Sequence, residues 1–284
     1  MNNTSQKNEG IDETGDSSSK VIKIDSNLAT LASQVKSLPI LQTQDLCCDF
    51  DGFRALNAIN IEISAGSIAV LLGRNGAGKS TFINCVSGFV GAKSGKVIFM
   101  GQNITHERSW RISQLGLART FQVPRPISGL TVYSYVTLAA LSGGINHLKR
   151  KNAIALAEEV MDISGLLDKA DARPTDLSTA QLRRLELARA LALRPKLMLL
   201  DEPLGGLSPP QVEEYLSIIG RLRDSGLSII AIDHSVKAAL EIADMVIFLD
   251  RGSVIRQGPP REVLSDKAVI DSYLGSRFIS RGFI

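Results

Sequence analysis

The sequence predicts an α/β protein with a core of parallel strands, an antiparallel β attachment ahead of it and a helical insertion within it. Three observations carry this. The runs SIAVLL, LMLLD and LSIIAI are short, apolar throughout and alternate with helical stretches, as strands buried on both faces do. Alternating residues in PILQTQDLCCDF and ALNAINIEI flank the turn DFDGFR, which reads as an antiparallel pair. From Thr131 to about Leu167 the pattern is mostly helical, and Ile154–Val160 is amphipathic.

In chain order, SIAVLL ends at a glycine-rich turn, and STFINCVSGF after it reads as a helix. GKVIFMG is a further strand. The runs LMLLDEP and LSIIAIDH end in acidic or polar residues, so chemistry is expected at the C-terminal ends of these strands. MVIFLDRGSVIRQG closes as a hairpin around Arg251–Gly252, and a last helix is expected over Pro260–Leu274. Adjacent Cys47 and Cys48 should point to opposite faces of their strand, and with Cys85 they read as unbridged apolar residues.

The chain of 284 residues is long enough for a sizeable core, and its apolar content of 44% is that of a globular protein. A formal charge of +3 is too balanced to suggest a nucleic-acid partner. No apolar run reaches membrane-spanning length, and the polar N-terminus is no secretory signal. Residues 1–38 are expected to be a disordered extension, because so polar a segment buries too little to offset its ordering entropy. Residues 39–284 then form the folded domain, with a helical subdomain at about 123–180.

GRNGAGKST fits G-x-x-x-x-G-K-[ST] between an apolar strand and a helix, the setting that pattern requires. The residues are Gly73, Arg74, Asn75, Gly76, Ala77, Gly78, Lys79, Ser80 and Thr81. Glycines let successive N–H groups converge on one anion, and the helix adds its positive end. Lys79 would reach the β- and γ-phosphates and Ser80 would offer its hydroxyl to Mg²⁺. The expected ligand is a nucleoside triphosphate with Mg²⁺. LMLLDEP supplies Asp201 for the metal, and Glu202 to orient or deprotonate the attacking water. His234, ending a third apolar strand, is a candidate γ-phosphate contact, while Gln122 by itself is only a polar loop residue.

These motifs, in the order aromatic turn, GRNGAGKST, TFQ, LSTAQ, LMLLDEP, GGLSP and AIDH, resemble the ATP-binding subunit of ABC transporters from about Leu41 onward. The resemblance implies a P-loop NTPase fold of the ABC ATPase type and ATP hydrolysis. It implies that Phe50 stacks on adenine, with Phe53 as the alternative. Gln122 would sense Mg²⁺ and water. Ser178 and Gln181, in the signature loop LSTAQ, would meet nucleotide across a dimer with a second ABC ATPase, identical or not. GLARTFQ, RRLELARAL and VIDSYLG resemble the subunits powering branched-chain amino-acid import; urea or amide uptake and lipopolysaccharide export systems are similar. Transmembrane permease subunits, an indirect substrate-binding protein and a peripheral place on the cytoplasmic face of the plasma membrane follow from the same likeness. A soluble ABC ATPase in cofactor assembly would carry the same motifs.

Two stretches compete for the signature loop. LSGGI, Leu141–Ile145, has the glycines and LSTAQ, Leu177–Gln181, has the glutamine. LSTAQ is favoured because it opens a helix shortly before the acidic strand, whereas the glycines of LSGGI end one helix before INHLKRKNAIALAEEV begins another. Thr179 and Ala180 then stand where the family has glycines. If the backbone there needs positive φ, both are strained and the site is weakened.

Overall fold

The computed structural model describes residues 39–50, 52–122, 124, 126–233 and 235–274. The extension over residues 1–38 and His234 lie outside the described residues.

Strands β1 (Pro39–Phe50) and β2 (Phe53–Ser64) form the expected antiparallel pair, with Phe50 opposite Phe53 at its closed end. β3 (Ile68–Leu72) enters a second sheet. β4 (Ser94–Phe99) and the short β5 (Gln102–Asn103) extend the first sheet in the order β2-β1-β4-β5. Register shifts interrupt the alternation of β1, and Cys47 and Cys48 are both buried, but only Cys48 joins the core under the sheet, while Cys47 lies beside Arg54. Cys47 Sγ is held near the Ala58 N–H at 3.3 Å, and all three cysteines are unbridged.

The main sheet adds β6 (Leu117–Arg119), β7 (Leu197–Asp201), β8 (Ser228–Ile232), β9 (Met245–Asp250) and β10 (Ser253–Gly258), in the order β10-β9-β3-β8-β7-β6. All its pairings are parallel except the β9–β10 hairpin. Its apolar runs divide by alternation. Val70, Leu200 and Ala231 face the core beneath the helices, while Leu71, Leu199 and Ile230 face the core shared with the antiparallel sheet. Both faces are therefore covered, which is why β3, β7 and β8 lack polar positions between their ends.

The helices are α1 (Lys79–Val86), α2 (Ser109–Leu115), α3 (Val132–Ser142), α4 (Arg150–Ile163), α5 (Thr179–Ala192), α6 (Pro209–Asp224), α7 (Val236–Ile242), α8 (Pro260–Ser265) and α9 (Lys267–Val269). The sequence reading missed β5, α2 and β6, because pieces of two to seven residues carry too little periodicity to see. The expected last helix is broken, since Asp266 is extended and caps α9 by accepting from the Ala268 N–H at 2.8 Å. Helix α4 starts at Arg150, later than INHLKRK suggested. The Arg194 guanidinium takes the carbonyls of Gly143 and Asn146, holding the intervening chain as a loop.

That loop explains the glycines of LSGGI. Helix α3 ends at Ser142, and Gly143 lies so close to the end of α5 that a Cβ there would stand 2.6 Å from Leu193 Cα. Gly144 takes φ of 72° beside the Arg194 side chain. These glycines serve close helix packing. Gly143→Ala is therefore expected to cost about 1–3 kcal/mol of stability, read as a lower urea midpoint; an unchanged midpoint would refute this packing role.

Candidate functional site

The turn after β3 is shaped by what surrounds it. Gly73 has φ of 152°, and a Cβ there would stand 2.2 Å from Leu249 O. Gly78 has φ of 103°, and a Cβ there would stand 2.7 Å from Ala55 O. Only glycine fits at either place. Ala77 packs inward, its N–H donating to Arg74 O at 3.1 Å and its carbonyl accepting from Gly252 N–H at 3.0 Å. The hairpin of β9 and β10 thus braces the loop from behind.

Lys79 opens α1, is buried, and donates from Nζ to Gly73 O at 2.7 Å and Arg74 O at 3.1 Å. Burial pushes its pKa down, and the carboxylates of Glu202 and Asp201 oppose that shift. The ammonium is thus held inside the loop where an anion would sit.

A cleft of about 490 Å³ opens over this loop, lined by Phe50, Phe53, Asn75, Gly76, Gly78, Lys79, Ser80, Thr81, Gln122 and Glu202, among others. It gathers the aromatic turn, the phosphate-loop residues and the two polar candidates from loops distant in sequence. Phe50 and Phe53 are both substantially exposed there, so the structure does not choose between them as the adenine platform. A second cleft of about 570 Å³ shares Ser80 and Gln122 with the first and includes Asp201, which is buried.

Glu202 follows β7 directly and has φ of 47°, a region that costs a non-glycine residue strain. Its N–H donates to Ile232 O at 3.0 Å, so the end of β8 holds the strained turn. Gln122 Nε2 donates to Glu202 Oε2 at 2.7 Å. The carboxylate and the amide are therefore already paired across the cleft.

Ser178 and Gln181 do not join this group. Neither lines either cleft, and they bond to each other at the start of α5. Gln181 N–H donates to Ser178 Oγ at 3.3 Å and Ser178 N–H donates to Gln181 Oε1 at 2.9 Å, a capping box. Thr179 and Ala180 are the first residues of the helix, and neither has positive φ. This corrects the expectation of strain: the backbone does not require glycine at either position. Ser208 caps α6, its N–H donating to Gln211 Oε1 at 2.9 Å.

Several residues around the site escaped the sequence reading. Arg183 of α5 donates to the carbonyls of Phe121 and Gln122, fixing the loop that carries Gln122. Arg119 pairs with Asp201 at 2.8 Å, and Arg189 donates to Arg119 O at 2.6 Å while pairing with buried Glu186. Glu186 also accepts from Tyr135 Oη at 3.1 Å, and burial raises the Tyr135 pKa. The available signal was one acid and one arginine, Glu186 and Arg189, inside an otherwise apolar helical run, LELARAL.

A family profile described as ABC transporter matches residues 56–205. A probable branched-chain amino acid transport ATP-binding protein of Archaeoglobus fulgidus is 37% identical over 249 residues, covering 84% of this chain and 97% of the relative. A high-affinity branched-chain amino acid transport ATP-binding protein of Escherichia coli is 31% identical, covering 84% of this chain and 99% of the relative. Among solved structures, the ADP conformation of an ATP-binding cassette of an ABC transporter superposes with a TM-score of 0.76 at 27% identity, covering 84% of this chain and 100% of the other. With its parallel-sheet core, its phosphate loop and these relatives, the chain belongs to the ABC transporter family as an ATP-binding, ATP-hydrolysing protein.

Proposed function

We propose that the chain is one ATPase of a membrane importer and that its cargo is branched-chain amino acids. The observation that carries the ATPase part is the single cleft in which Lys79, Ser80, Gln122 and Glu202 meet beneath Phe50 and Phe53. The cargo rests on the two relatives named for that transport, since an ATPase unit holds no pocket for the transported molecule.

In this reading residues 39–284 are the ATPase domain and about 123–180 its helical subdomain. Adenine stacks on Phe50 or Phe53. The loop from Gly73 to Thr81 binds the triphosphate through its N–H groups and Lys79. Glu202 orients the attacking water and takes its proton, Gln122 holds the Glu202 carboxylate in place, and His234 contacts the γ-phosphate. Bond formation to phosphorus and loss of ADP then need little beyond positioning and charge.

The donor set also fits Mg²⁺. The hydroxyl of Ser80 and the buried carboxylate of Asp201 line one cleft, both hard oxygen donors. Among the described residues no cluster of three or more His, Cys, Asp or Glu could hold a metal without substrate. That is the pattern for a metal bound by one or two side chains together with phosphates. Bound there, Mg²⁺ would neutralise charge on the β- and γ-phosphate oxygens.

Ser178, Gln181 and the N–H groups at the start of α5 line neither cleft of their own chain, so they would serve the nucleotide of a second ABC ATPase. No helix among the described residues is long and apolar enough to cross a membrane. Membrane attachment would come from permease subunits, and a substrate-binding protein would take part indirectly. In the stretch after Gln122, Val132, Tyr135 and Val136 are buried in the core, whereas Ile127 is 50% exposed. Ile127 is the docking candidate for those subunits, on the cytoplasmic face of the plasma membrane.

Glu202→Gln is expected to lower ATP turnover of the assembled transporter by about 100-fold or more and to abolish leucine uptake into cells. Normal turnover would remove Glu202 from catalysis, and normal turnover with no uptake of leucine, isoleucine or valine by the native system would sink the cargo assignment. Lys79→Ala should weaken ATP binding by about tenfold or more, as expected for loss of a charged hydrogen bond; an equal dissociation constant by calorimetry contradicts the loop's role. Because the start of α5 is helical without strain, Thr179→Gly with Ala180→Gly should not raise turnover, and should lower stability by about 1 kcal/mol at the inner position. A clear gain in turnover would restore the weakened-site reading.

A further inference from the structure

Asp201 has a partner that the reaction as described does not use. Arg119 ends the edge strand β6, in parallel register with Leu199 of β7, two residues before Asp201. Thr120 N–H donates to Leu199 O at 2.9 Å, continuing that register to the strand ends. The guanidinium reaches Asp201 Oδ2 at 2.8 Å, and the two side chains are only 10% and 7% exposed.

The guanidinium is fixed from several sides. Nη1 donates to Asn84 Oδ1 at 2.5 Å, and Ser87 Oγ lies 3.5 Å away, both near the end of α1. The rings of Phe89 and Phe121 lie 5.4 Å and 5.3 Å from its central carbon. Arg189 bonds the Arg119 carbonyl. Nε is buried with no hydrogen-bond partner among the described residues, so the head group is placed for Asp201 at the expense of one donor. Lys79, also buried and within electrostatic reach of Asp201, is engaged with Gly73 O and Arg74 O.

A buried carboxylate needs a compensating charge. We propose that Arg119 is the resident counter-ion of Asp201, supplying that charge before metal binds and thereby limiting how tightly Mg²⁺ is held. The inference rests on the nucleotide reading of the site. It follows by linkage: with Arg119 present, Mg²⁺ meets a carboxylate already compensated at one oxygen and a cation close by. Without Arg119, Asp201 loses its ion pair and keeps only the electrostatic influence of Lys79, so metal binding relieves more of the buried charge and becomes more favourable. Arg119 is in this sense a positioning and charge-balancing residue, favouring release of metal with spent nucleotide. A purely structural arginine would destabilise the fold when removed, without tightening the metal.

The test is calorimetric titration of Mg²⁺ into full-length protein saturated with ADP, for native, Arg119→Met and Arg119→Lys chains. Arg119→Met should bind Mg²⁺ about tenfold more tightly, and Arg119→Lys within about threefold of native, because the charge is kept. In an Asp201→Asn background Arg119→Met should change nothing, which isolates the pair. Thermal unfolding gives a second readout: Mg²⁺ with ADP should raise the Tm of Arg119→Met more than that of native protein. If Arg119→Met does not fold, Arg119→Gln takes its place. Unchanged or weaker Mg²⁺ binding, or the same change in the Asp201→Asn background, overturns the proposal. Failure of native protein to bind ADP in EDTA would instead overturn the nucleotide reading.

Discussion

Everything at the site depends on the parallel pairing of β3, β8 and β7. Strands buried on both faces can carry polar groups only where they end, and parallel pairing brings their C-terminal ends to one edge. The register is set by apolar side chains on two faces: slipping β7 by one residue would exchange Leu199 and Leu200 between two different cores. The phosphate loop after β3 and the Asp201–Glu202 pair ending β7 are therefore held together by packing far from any polar contact. Backbone bonds extend this control past the strand ends, as Glu202 N–H to Ile232 O shows.

Strain and enclosure occur together where that edge meets solvent. Glu202 sits at positive φ beside the glycine-bearing turn of LGGLSP, and Lys79 is buried against backbone oxygens. Such features persist only when surroundings over-determine them. The surroundings here are the β9–β10 hairpin behind the phosphate loop, and α5, whose Arg183 and Arg189 reach the Gln122 loop and the end of β6. One helix thus offers its N-terminus outward and braces the Gln122 loop and the end of β6 with its side chains.

The two serine-containing loops show how the same residues serve different ends. In LSGGI the glycines answer a steric demand, the approach of α3 to the end of α5. In LSTAQ no such demand exists, because the chain has already entered a helix and any residue with negative φ can present its N–H. Glycine content alone favours LSGGI, whereas position relative to the helix and the acidic strand favours LSTAQ.

Much of this was legible in the sequence for physical reasons. A phosphate loop needs glycine at fixed spacing, and buried parallel strands need uninterrupted apolar runs, so Gly73–Thr81, Asp201, Glu202 and the sheet core were readable from residue type and order. The short edge strand β6, the β1 bulges and the break at Asp266 were not, because each is decided by neighbours and leaves no local pattern. Gln122 is by itself an ordinary polar residue, given a role in the sequence only by the family resemblance, and the fold sets its amide 2.7 Å from Glu202. The Arg119–Asp201 pair spans 82 residues of sequence, and only tertiary structure could decide it: a buried charge takes whichever partner the packing brings within reach.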